Sequence, residues 1–162
     1  MQVILASSSI YRLQLLHDVG VNAVAFAVDI DEPSIVGSSP TDTAMLRARA
    51  KTEYVHRLHK DALVIGADQV CYLGGLLMGK PTSEIEWLDR LRLLKGKDHL
   101  LSTAVCIAYP SSKERIEFVE TTSIRFRDSL SDDDLRRYVE LGEAKNCAGG
   151  YMMEKRGAWL IE

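Results

Sequence analysis

The chain has 162 residues, 46% of them hydrophobic and 27% charged, with a formal net charge of −3. That length and balance predict one soluble globular domain that can bury its own core without a disulfide or metal staple. They exclude a general nucleic-acid binder, which needs a basic surface, and no apolar run approaches the ~20 residues that cross a bilayer.

Cys71, Cys106 and Cys147 are odd in number and match no zinc spacing, so they read as free thiols in a reducing compartment. The N-terminus enters a strand directly, with no positively charged lead-in. A cytoplasmic location is therefore expected, with neither a nucleic acid nor a membrane as partner.

Val3-Ile4-Leu5-Ala6 predicts a short buried strand, and Ser7-Ser8-Ser9 a turn. Tyr11 to Leu16 has helical spacing, stopped by Gly20. The serine hydroxyls, the helix-start N–H groups and Arg12 together suit an anion. One serine can also serve as the N-cap, and both roles can hold because three serines exceed what one cap requires. Ala23 to Val28 predicts a second strand that exits into Asp29-Ile30-Asp31-Glu32-Pro33. A period of two would send Ile30 and Glu32 to the face opposite Asp29 and Asp31.

Ser39-Pro40 opens a helix that should run to about His59. Arg47 and Lys51, four residues apart, share one of its faces. A charged face of this kind is usually only solvated, although Ala44, Ala48 and the Lys51 stem could flank a pocket.

Leu63 to Val70 is an apolar run that predicts a buried strand, interrupted near its end by Gly66-Ala67-Asp68-Gln69. An aspartate at a strand tip can hold a metal or activate water; it can also merely cap a turn. Gly74-Gly75 marks a hairpin, and Gly79-Lys80-Pro81 presents an ammonium before a helix from about Ser83 to Leu94. Ile85, Leu88, Leu91 and Leu94 should form the buried face of that helix.

Two long strands, His99 to Ala108 and Ile116 to Phe126, flank the turn at Tyr109-Pro110. Ser131-Asp132-Asp133-Asp134 starts a helix that ends at Gly142, its acids matched to the positive helix start. Cys147 to Glu154 is strand-like, with Gly149 and Gly150 allowing a close backbone approach. Trp159 to Glu162 predicts a last strand.

The polar groups at element ends are Ser7, Ser9, Arg12, Glu32, Lys51, Asp68, Gln69, Lys80 and Glu154. Their cations suit phosphate oxygens and their carboxylates suit Mg²⁺ or Mn²⁺. One carboxylate can also take a proton from attacking water. No Walker A sequence is present, which excludes the P-loop solution.

Six segments in register carry a resemblance: Leu5 to Arg12, Asp31-Glu32, Ala48 to Lys51, Gly66 to Gln69, Gly79 to Pro81, and Cys147 to Gly150. Together they resemble the Maf family of nucleoside triphosphate pyrophosphatases, over the whole chain. The resemblance implies an α/β fold with an elongated mixed β-sheet flanked by helices, and two lobes around a cleft similar to the inosine-triphosphate pyrophosphatases. It implies hydrolysis of a nucleotide substrate to its monophosphate and pyrophosphate, with a divalent metal. Asp68 would be the proton acceptor, Glu32 and Asp68 the metal-linked carboxylates, and Ser7, Ser9, Arg12, Lys51 and Lys80 the phosphate ligands.

Tyr11, Gln69 and Glu154 stand where members acting on dTTP and UTP carry Arg, Thr and Gln, so the chain looks like the subfamily that hydrolyses 7-methyl-GTP. Chemically, Glu154 can accept from guanine N1–H and N2–H₂, and Tyr11 can face the cationic methylated ring. Other roles for the chain are a dTTP/UTP pyrophosphatase or a non-catalytic nucleotide-binding regulator of cell division, and a homodimer stays open. Ile10 and Leu13 depart from the family's Ser-Pro-Arg-Arg run, and Lys155-Arg156-Gly157 departs from the subfamily's Glu-Gly. The family pattern would continue for about 30 residues beyond Glu162.

Overall fold

The computed structural model describes residues 1–162. In chain order the elements are β1 (Val3–Leu5), α1 (Ile10–Asp18), β2 (Ala23–Ala25), α2 (Pro40–Leu58), β3 (Leu63–Leu73), β4 (Leu76–Met78), α3 (Glu84–Leu94), β5 (Asp98–Ala108), β6 (Arg115–Arg125) and α4 (Asp132–Glu140). Short 3-10 turns cover Glu32–Ser34, Ala148–Gly150 and Arg156–Leu160. The strands pair in the order β2-β1-β3-β5-β6, with β4 on β3. β1 is parallel to β2 and β3, whereas β3 and β4 form an antiparallel hairpin, so the sheet is mixed as expected.

The helix boundaries follow local chemistry. Ser9, Ser39, Ser83 and Ser131 each accept a hydrogen bond from a backbone N–H of the turn they open. At α4 the acidic run closes a full capping box, with Asp134 as the returning carboxylate. None of the helices is long and apolar enough to cross a membrane.

The chain divides into two compact units: residues 1–68 with 103–120, and residues 69–102 with 121–162. In the first, Ile4, Ala6, Val55, Ala62 and Val64 form a buried cluster against which Phe26, Val28 and Tyr54 pack. α2 lies against β3 at Gly66, where an added Cβ would come within 2.1 Å of Thr52 Oγ1 and 2.6 Å of the Ala48 carbonyl. In the second unit, Trp87 donates from Nε1 to the Gly150 carbonyl, and a Cβ at Gly150 would strike the Trp87 ring at 2.6 Å. Gly149 approaches Cys71 in the same way, its Cβ falling 2.9 Å from Sγ. Both contacts bear out the close approach expected at this glycine pair.

Several expectations need correction. β3 does not end at Gly66-Ala67-Asp68-Gln69 but runs on to Leu73, so Asp68 sits mid-strand. β2 stops at Ala25, and the Asp29–Glu32 stretch is not a strand, so its period-two facing does not apply. Ala44 and Ala48 are fully buried, so they pack in the interior and flank no open pocket. On α3, Ile85 is 77% exposed and Trp87 takes the buried place predicted for it, because the buried arc is set by positions 87, 88, 91 and 94. Cys147 to Glu154 holds a 3-10 turn instead of a strand, since Gly149 and Gly150 both take positive φ. The last predicted strand is a 3-10 turn plus one bridge, Ile161 to Phe126.

Candidate active site

The first unit gathers opposite charges around Asp68. β3 carries this residue into the interior, where it is 4% exposed. Lys51 reaches it from α2, with Nζ donating to Asp68 Oδ1 at 2.7 Å and to Glu32 Oε2 at 2.9 Å. Lys51 is itself 5% exposed. The approach of α2 to β3 depends on Gly66, two residues before Asp68, which leaves room for Ala48 and Thr52. Glu32 is presented by the 3-10 turn with Pro33 at its start.

Burial pushes the Asp68 carboxyl above the usual carboxylate range; Lys51 and Arg12 pull it back down, and Glu32 adds to the upward push. Its second oxygen, Oδ2, accepts no hydrogen bond. Only this atom and His56 Nδ1 are buried side-chain polar atoms without a partner. A buried unpaired carboxylate oxygen is costly, so it marks a place where another group is expected to bind.

Arg12, on the first turn of α1, donates to the Ala67 carbonyl at 2.8 Å and approaches Ser7 Oγ at 3.5 Å. It thus reaches the residue next to Asp68. Ser7 Oγ accepts from Ser9 N at 3.1 Å, and Ser9 Oγ accepts from Arg12 N at 3.4 Å. The Ser9 hydroxyl therefore caps the helix, one of its two compatible expected roles, and Ser7 and Ser9 join Arg12 in one turn. Tyr11 stands on the same turn, half-buried.

The second unit carries the other predicted site residues. Gln69 follows Asp68 on β3 and is half-buried, Lys80 is exposed, and Glu154 is exposed on a turn. The Gly79 carbonyl, just before Lys80, accepts from Arg90 and from Gly149 N, which ties down the base of that loop. The structure thus brings together Glu32, Lys51, Asp68, Arg12, Ser7 and Ser9 within one unit. It adds Arg47, whose Nη1 lies 4.0 Å from Asp68 Oδ2. The signal for Arg47 was present in its four-residue spacing from Lys51, but a solvated face explained that spacing equally well.

No group of three or more His, Cys, Asp or Glu side chains is placed to hold a metal ion. Magnesium is commonly bound through one or two carboxylates plus substrate phosphates. Glu32 and Asp68, two carboxylates brought together on Lys51, fit that donor set.

The family model described as Maf-like protein matches residues 2–162. A nucleoside triphosphate pyrophosphatase of Corynebacterium diphtheriae is 35% identical over 167 residues, covering 100% of this chain and 82% of the relative. A 7-methyl-GTP pyrophosphatase of Nitrosospira multiformis is 35% identical over 161 residues, covering 99% of this chain and 81% of the relative. A dTTP/UTP pyrophosphatase of Akkermansia muciniphila is 36% identical over 159 residues, covering 98% and 82%. Among solved structures, a Ham1 protein of Coxiella burnetii superposes with a TM-score of 0.53 at 12% identity, covering 81% of this chain and 75% of that one. The fold is shared at that distance, and the family match over residues 2–162 together with relatives about 35% identical shows that the chain belongs to the Maf family.

Proposed function

We propose that this chain is a nucleoside triphosphate pyrophosphatase, and that 7-methyl-GTP is its preferred substrate. The observation that carries the hydrolase reading is the buried Asp68 carboxylate, held by Lys51 through one oxygen and unpaired at the other.

Hydrolysis to a monophosphate needs water to attack the α-phosphorus in line. As the new oxygen–phosphorus bond forms, the bridge between the α- and β-phosphates breaks. The water proton passes to Asp68, whose burial makes it a better base than an exposed aspartate. Lys51 fixes the carboxylate through Oδ1, leaving Oδ2 open to the water. The leaving pyrophosphate gains charge, which Arg12, Lys51 and Lys80 are suited to neutralise. The hydroxyls of Ser7 and Ser9 would orient phosphate oxygens at the start of α1. A Mg²⁺ or Mn²⁺ ion held by Glu32 and Asp68 would supply further charge neutralisation at the phosphates.

Tyr11, Gln69 and Glu154 are read as the base-recognition residues. A guanine edge offers two adjacent donors to the Glu154 carboxylate, whereas thymine or uracil offers one, N3–H, flanked by carbonyl oxygens that it would repel. Methylation at N7 gives the ring a positive charge, which favours Tyr11 and Glu154 together. Relatives at similar identity bear both substrate names, so the choice rests on these three side chains.

Pyrophosphate release should be measured with 7-methyl-GTP, GTP, dTTP and UTP in the presence of Mg²⁺ or Mn²⁺. The highest kcat/KM is expected for 7-methyl-GTP. A preference for dTTP or UTP would sink the substrate assignment alone, and tight binding with no turnover of any nucleotide would sink the hydrolase reading. The variant Asp68→Asn should lose about 10²–10⁴-fold in turnover while remaining folded.

A further inference from the structure

Lys51 and Glu32 do not exhaust the charge around Asp68. Arg47 lies one helical turn before Lys51 on the same face of α2. Its side chain is only 12% exposed. Nε donates to the Ile35 carbonyl at 3.0 Å, which moors the guanidinium to the segment just after the Glu32 turn. The two terminal nitrogens make no hydrogen bond, and Nη1 stops 4.0 Å from Asp68 Oδ2. That separation is within ion-pair range but too long for a hydrogen bond. The open N–H donors of Arg47 suit an anionic oxygen, the open Oδ2 acceptor of Asp68 suits a water, and the two lie 4.0 Å apart.

Lys51 already holds Oδ1 of the same carboxylate, so Arg47 is not needed to anchor Asp68. An arginine fork held by its Nε, with four N–H groups still open, has the geometry that phosphate oxygens match best. Its neighbour is the carboxylate read here as the proton acceptor. A reacting phosphoryl group must lie about 3 Å from both the base-activated nucleophile and the donors that take up its charge.

We propose that Arg47 is a further substrate-binding residue, whose terminal guanidinium nitrogens take a non-bridging oxygen of the triphosphate beside Asp68. This rests on the pyrophosphatase reading for the identity of the ligand, but the test does not depend on turnover.

Calorimetric binding of inorganic tripolyphosphate is to be compared among the wild type, Arg47→Gln and Arg47→Lys, with thermal melting of each. Arg47→Gln should weaken tripolyphosphate binding about tenfold or more, and Arg47→Lys, which keeps the charge but not the fork, by about threefold to tenfold. With nucleotide substrate, the loss should fall more on KM than on kcat, a split that a merely structural arginine would not produce. Folded Arg47→Gln protein that binds tripolyphosphate within about twofold of wild type would overturn the proposal. If Arg47→Gln does not fold, unchanged binding by Arg47→Lys overturns it instead. A wild type that does not bind tripolyphosphate also overturns it. Wild-type protein that binds tripolyphosphate but hydrolyses no nucleotide defeats the hydrolase reading alone, and the Arg47 comparison still decides this one.

Discussion

Each unit buries a polar cluster, and the two are finished differently. In the second unit His99 is 1% exposed and shares a hydrogen bond of 2.7 Å between Nε2 and the Tyr151 hydroxyl. Edge-on contacts join His99 to Phe126 at 5.0 Å and to Tyr151 at 5.4 Å, and Phe126 to Tyr151 at 4.9 Å. Burial holds His99 below its usual range, towards the neutral form, and pushes the Tyr151 hydroxyl upward. No buried polar atom of this group lacks a partner. In the first unit Asp68 is equally enclosed, but it sits among formal charges and keeps one oxygen unpaired. Burial of polar groups is therefore common to both. What distinguishes the candidate site is unspent hydrogen-bonding capacity next to charges of both signs.

The sharpest way to break this comparison is to remove Lys51. Lys51→Met should destabilise the protein by about 3–5 kcal/mol, because it strands a buried carboxylate. Urea melts should show the double variant with Asp68→Asn recovering most of that loss, since the uncompensated charge is gone. If Lys51→Met melts like wild type, the Lys51–Asp68 pair is not buried as described.

A smaller effect is expected at Gly66→Ala. Its new Cβ would press on Thr52 and the Ala48 carbonyl, costing about 1–3 kcal/mol in overpacking. Because Lys51 lies between those two contacts on α2, turnover should fall as well as stability. Unchanged kinetics would show that α2 can give way there without moving Lys51.

The least of the three concerns His99. Its folded pKa is lowered below 6.5 by burial, so the unfolded chain binds the proton more readily. Stability should be fully present above that value and decline as pH falls through it, until the folded form also titrates. Chemical denaturation from about pH 8 to about pH 5 should show this slope, and His99→Gln should flatten it. A slope unaltered in the variant would assign it to other groups.

Much of the chain was legible as sequence. Serines before apolar runs marked the true starts of α1, α2, α3 and α4, and Gly74-Gly75 marked the hairpin. These signals read well because capping and positive φ are settled within a few residues. Composition, the apolar strands and the six motif segments likewise needed no partner from elsewhere in the chain. The misplacement of Asp68 fell where long-range contact overrode local preference, whereas the turn at Gly149-Gly150 was a local signal read as a strand. Asp68 is expected at a strand tip because Gly66-Ala67-Asp68-Gln69 interrupts the apolar run near its end.

Only the folded chain could decide that Asp68 is enclosed mid-strand. Lys51 has to arrive from α2, and α2 has to close on Gly66, before the charge can be tolerated there. Whether Arg47 faces solvent or the carboxylate was open for the same reason, because spacing names the face of a helix but not what that face meets. Local propensity acts between neighbours in sequence. The balance between desolvation and ion pairing is struck between residues far apart in the chain, and it exists only once they have been packed together.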